Sequence, residues 1–130
     1  MPDTTRTSKP HHPPTSSTKQ SESLIQQRIL LYLSTRLDIR VWRNNSGVAM
    51  MKGRGGRMRT VKFGVTGQAD LSGILAGGRR LEIEVKTEKG RQSREQIAFG
   101  RMITTMGGLY ILARSVEDVI NSLPKVSTCP

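Results

Sequence analysis

Apolar side chains first recur at helical spacing in Leu24, Ile25, Ile29, Leu30 and Leu33, with Ser21 or Ser23 placed to cap the start. That spacing predicts a helix. Ile39 and Val41, flanked by Arg40 and Trp42, predict a strand, and residues 61–63 a short second one. Between them, residues 47–56 are glycine-rich and basic and read as a mobile hairpin or loop. Residues 70–75 and 81–86 are both strand-like, and Gly77 and Gly78 supply the permissive backbone for a tight reversal, so together they predict a hairpin. Ser93 opens a helix that runs to about Met106, with Ala98, Met102 and Met106 on one stripe and Phe99 and Ile103 beside it, ended by Gly107 and Gly108. Residues 109–113 are an apolar run suited to a buried strand. Residues 115–123 form a final helix stopped by Pro124. Without the short 61–63 strand, the order α-β-β-β-α-β-α predicts an α/β domain: a central mixed sheet flanked by helices, with a right-handed crossover joining parallel strands late in the chain.

Composition narrows the boundaries. Residues 1–20 hold four prolines, many Ser and Thr, and Met1 as their only apolar side chain, too little to offset the entropy of ordering, so a disordered tail is expected there. His11 and His12 lie inside it, without rigid support for a metal. The folded domain is expected over residues 21–124, followed by a short tail, 125–130. With 130 residues and 35% hydrophobic side chains, the chain fills one core. Its one cysteine, Cys129, excludes a disulfide scaffold and a thiolate zinc site and suits a reducing compartment. No apolar stretch approaches the roughly 20 residues of a membrane span, and no secretory h-region is visible. A cytoplasmic protein without membrane contact is expected.

Charge changes the picture. The net charge is +11, and residues 28–62 carry nine basic side chains against Asp38 alone, whereas residues 63–90 balance to zero. Such segregation suits a segment that grips phosphates beside another that needs carboxylates; a solvated basic face gives the same pattern. The glycine-rich stretch lacks the Gly-Lys-Ser/Thr ending of a P-loop. The basic residues Arg43, Lys52, Arg54, Arg57 and Arg59 would track a nucleic-acid backbone, with steep salt dependence. Only five aromatics occur, Tyr32, Trp42, Phe63, Phe99 and Tyr110, all in regular elements where packing is their expected role. Recognition is therefore expected to rest on backbone and shape.

The alternation in Leu81-Glu82-Ile83-Glu84-Val85-Lys86 sets the three apolar residues on one face and Glu82, Glu84 and Lys86 on the other. Pairing through the Gly77-Gly78 turn brings Asp70 alongside Glu84. Two carboxylates about 4 Å apart repel by on the order of 4 kcal/mol at an effective dielectric near 20. A proton or a hard divalent cation resolves that repulsion, and oxygen donors select magnesium or manganese. A half-exposed strand with mixed charges turned outward shows the same Glu-x-Glu-x-Lys pattern.

The stretch Gly64-Val65-Thr66-Gly67-Gln68-Ala69-Asp70-Leu71, followed by Glu84-Val85-Lys86 and then Ser93-Arg94-Glu95-Gln96, resembles the VRR-NUC branch of the PD-(D/E)XK nucleases over roughly residues 41–119. Ala69 stands where that superfamily often has proline; it is not a ligand position. The resemblance implies a restriction-endonuclease-like core with Asp70 and Glu84 as metal ligands and the Val85 carbonyl as a third. It also implies that Lys86 orients or activates water and stabilises transition-state charge, and that Glu22 is an additional acid. Gln96 matches a polar residue on the helix after the active-site strand. Ser93-x-x-Gln96 is equally a capping box, and one amide is expected to serve one of the two roles only. An acid at Glu22 is also favoured by the helix dipole alone.

The resemblance further implies a magnesium-dependent DNA endonuclease, with manganese as substitute, of the free-standing virus-type replication and repair kind. That implies phage origin, a homodimer, and branched DNA such as four-way junctions as substrate. A shared face would also help a 104-residue domain with a small core. The alternatives are a non-catalytic basic module that binds nucleic acid, and a restriction-type endonuclease on the same core.

Overall fold

The computed structural model describes residues 20–45 and 47–126; the expected N-terminal tail, apart from Gln20, and Cys129 lie outside them. In chain order the elements are α1 (Glu22–Ser34), β1 (Ile39–Arg43), β2 (Gly47–Lys52), β3 (Met58–Phe63), β4 (Leu71–Leu75), β5 (Arg80–Val85), α2 (Arg94–Thr105), β6 (Leu109–Ala113) and α3 (Val116–Ser122). Each helix starts at a serine whose hydroxyl accepts a backbone N–H from the first turn: Ser21 from Leu24, Ser93 from Gln96, Ser115 from Asp118.

Four strands form one mixed sheet in the order β1-β4-β5-β6, antiparallel at the first two pairings and parallel between β5 and β6. The main-sheet strands and helices alone run α1, β1, β4, β5, α2, β6, α3, the order expected from the pattern. Register sorts the side chains into two layers. Leu71, Ile83 and Ile111 share one row of the sheet and Val85 and Ala113 another, packed against Ile25, Ile29 and Leu33 of α1 and against Val119 and Leu123. Opposite them, Trp42, Ser72, Glu82 and Tyr110 form a row on the second face, with Glu84 one step further along β5. The helix α2 covers part of this face through Phe99 and Ile103, which meet Ala69 and Tyr110 in a smaller second core. The approach is close at Gly100, where a Cβ would lie 2.6 Å from the Tyr110 ring.

The structure differs from three expectations or narrows them. Residues 47–63 form a regular antiparallel hairpin, β2 against β3 from Gly47↔Phe63 to Lys52↔Met58, which is one of the two forms the sequence left open for residues 47–56, and the second strand is longer than the 61–63 expected. A 3-10 turn, Arg54–Gly56, closes it, with Gly55 and Gly56 at φ +81° and +76°, conformations that side-chain-bearing residues rarely adopt. This hairpin forms a separate two-stranded sheet in which no residue is fully buried. Second, the buried line of α2 is Phe99, Gly100 and Ile103, so the Ala98, Met102 and Met106 stripe faces outward. The helix packs through the small side of Gly100 on Tyr110, which rotates the methionines away from the sheet. Third, Trp42 and Phe63 are each 47% exposed, because Trp42 lies on an edge strand at the uncovered side of the sheet and Phe63 on the hairpin.

Among the described residues no helix is long and apolar enough to cross a membrane.

Candidate active site

The site is assembled at the end of the β4-β5 pairing. Leu71 lies opposite Ile83, and one step beyond it Asp70 reaches across to β5, where its Oδ2 accepts the Val85 N–H at 2.8 Å. In an extended strand the N–H and C=O of a residue share an edge, so the Val85 carbonyl is directed to the side on which Asp70 stands.

Glu84 is 1% exposed. The outward, half-exposed strand face that the charge alternation allowed is absent: β5 is an inner strand, α2 closes over its second face, and Glu82 is 0% exposed as well. Glu84 Oε1 accepts from Gln96 Nε2 at 2.8 Å and lies 3.5 Å from Lys86 Nζ. Its second oxygen, Oε2, is buried without a hydrogen-bond partner. Burial, and next the Asp70 carboxylate, push the Glu84 carboxyl up to about 7; Lys86 partly opposes them, and Glu22 at the first turn of α1 adds to the rise. Asp70, Glu22 and Lys86 thus all act on Glu84 electrostatically.

Gln96 corrects the expectation that one amide serves one role. Its Oε1 accepts the Ser93 N–H at 2.8 Å, completing the capping box, while its Nε2 donates to Glu84. The two ends of an amide carry opposite hydrogen-bonding character, so both roles fit at once.

The basic residues are dispersed. Lys52 and Arg59 lie on opposite faces of the hairpin, Arg54 and Arg57 at its turn, and all are exposed. Arg43 ends β1 opposite Leu71, in a row on the other face of the sheet from Glu84. The side chains found around the carboxylates also include several the sequence did not single out. Tyr110 accepts a hydrogen bond from Gln92 Nε2 at 2.9 Å, and burial together with the Glu84 charge pushes its hydroxyl up to about 12. Arg114 donates to the carbonyls of Thr87, Glu88 and Gly90 and so holds the loop that follows Lys86. Neither had a local sequence signal. Ser72 did: it is a hydroxyl in an otherwise apolar strand.

Among the described residues no three His, Cys, Asp or Glu side chains are gathered as a ready-made metal cluster. The donors at hand nevertheless fit a hard cation: two neighbouring carboxylates, one with a buried oxygen left unpaired, and a backbone carbonyl on the same side. No protein-family model matches the chain, and no curated protein matches it.

Proposed function

We propose that this chain is a magnesium-dependent DNA endonuclease that hydrolyses phosphodiester bonds, acts as a homodimer in a cytoplasm and prefers branched DNA such as four-way junctions. The observation that carries the proposal is the unpartnered, buried Glu84 Oε2, set beside Asp70 and close to the Lys86 ammonium. A buried carboxylate oxygen left without a donor is costly unless a proton or a cation completes it.

Asp70, Glu84 and the Val85 carbonyl would hold magnesium, or manganese in its place, with Glu22 contributing directly or through water. When bound, the ion supplies Lewis-acid stabilisation of the phosphoryl oxygens and lowers the pKa of its water. Gln96 occupies Glu84 Oε1 and leaves Oε2 available. Lys86 shares the strand face with Glu84 and brings a positive charge to the phosphate. The exposed arginines and lysines of the hairpin bind phosphates without regard to base identity. The resemblance to the VRR-NUC nucleases and their restriction-endonuclease-like core supports the same reading.

A non-catalytic nucleic-acid-binding module is the competing reading, favoured by the lack of a preassembled three-acid cluster among the described residues. Labelled linear duplex and four-way junctions, incubated with magnesium, with manganese and with EDTA, separate the two. Cleavage of the junction that disappears with EDTA and with Asp70→Ala is expected. Binding without cleavage in either metal refutes the enzyme, and discrete fragments from a long plasmid would point to a restriction-type endonuclease.

A further inference from the structure

We infer that Asn44 is a positioning residue for Asp70, oriented by a buried chain of Ser72 and Glu82; the metal-binding consequence rests on the proposed function, the positioning itself does not.

Asn44 follows β1 directly and touches the Asp70 segment three times. Its backbone N–H donates to the Asp70 carbonyl at 2.9 Å, and its side-chain Nδ2 donates to the Ala69 carbonyl at 2.8 Å and to Ser72 Oγ at 2.5 Å. The backbone on both sides of the Asp70 side chain is thereby tied to one residue.

The direction of these bonds is determined by what lies behind them. Ser72 has one hydroxyl proton, and its Oγ lies 2.9 Å from both oxygens of Glu82. A carboxylate only accepts, so the Ser72 proton goes to Glu82 and the hydroxyl oxygen is left to accept from Asn44. Arg80 balances the buried Glu82 charge through Nε at 2.6 Å and donates a further bond to Ser72 at 3.3 Å. With acceptors at both Ser72 Oγ and the Ala69 carbonyl, the amide of Asn44 has one satisfactory orientation, with nitrogen toward β4. Glu82 shares the β5 face with Glu84 but has all of this as its surroundings, so its work is to orient Ser72. The chain ends at Asp70, whose carboxylate meets the Val85 N–H.

Neighbours that orient a ligand commonly change metal affinity by about 10- to 100-fold when removed. The test uses the full chain as wild type, Asn44→Asp, which keeps the shape and loses the amide donor, and Ser72→Ala, which releases the amide from behind. Three quantities are read: thermal melting, the amide proton shift of Val85 in a nitrogen-15 spectrum without metal, and manganese affinity by calorimetry without DNA. Both variants are expected to move the Val85 amide signal upfield, as its bond to Asp70 loosens, and to weaken manganese binding by about tenfold. The turnover number on a junction should fall with KM unchanged. A Val85 signal that stays in place in both folded variants overturns the inference, even where melting falls. If wild type neither binds manganese nor cuts DNA, the proposed function fails, and the Val85 signal alone still decides the role of Asn44. If Asn44→Asp does not fold, Ser72→Ala decides it.

Discussion

Replacing Glu84 with its neutral isostere, Glu84→Gln, should stabilise the metal-free protein at alkaline pH and do little at acidic pH. In the unfolded chain the carboxyl titrates near its ordinary 4.5, whereas in the folded protein burial and Asp70 push it up to about 7. Between those values the folded state holds a proton that the unfolded state has released. Wild type therefore has this contribution in full below the unfolded value and loses it as pH rises toward and through the folded value. At 1.36 kcal/mol per unit, the difference in stability between variant and wild type should grow by about 3 kcal/mol between pH 4.5 and pH 8. For a domain of this size that is a change on the order of 10 °C in Tm. An amide oxygen still accepts the Gln96 bond, and every other titrating group is common to both chains, so the comparison isolates Glu84. Urea unfolding of both proteins in EDTA at pH 5 and pH 8 measures it. A stability difference that is the same at both pH values, or that shrinks toward pH 8, would refute the account of Glu84 as a buried, uncompensated carboxylate.

Two further outcomes can be checked separately. Arg54→Ala combined with Arg57→Ala should lower DNA affinity and reduce the slope of log affinity against log salt by about 2, since each phosphate contact contributes about 0.9. Melting should stay unchanged, because both residues sit exposed at the hairpin turn; a salt slope equal to wild type would remove the hairpin from the DNA interface. Gly67→Ala should destabilise by more than about 2 kcal/mol in urea unfolding. Gly67 has φ +75°, and a Cβ there would lie 2.2 Å from the Glu95 carbonyl oxygen, so the loop leading to Asp70 would be forced off the start of α2. Unchanged stability would mean that the loop is not held there.

Much of the architecture was legible in the chain because it is written in local periodicity. The alternation of Leu81, Ile83 and Val85 with Glu82 and Glu84 set the two faces of β5, the glycine pair set the β4-β5 turn, and serines marked the starts of the helices at Ser93 and Ser115 and, with Ser21 and Ser23 both open until the structure chose Ser21, at the first helix. Asp70 and Glu84 could be named together because a hairpin register follows from the turn. The tertiary structure decided how deeply the acids lie, which depends on α2 closing over a strand that has neighbours on both sides. It also decided that Gln96 serves two partners and that Asn44 holds a segment beginning 25 residues later. Alternation along a strand records which side a residue is on; what stands opposite it is set by chain segments far away in sequence, and with it the desolvation that gives Glu84 its unusual proton affinity.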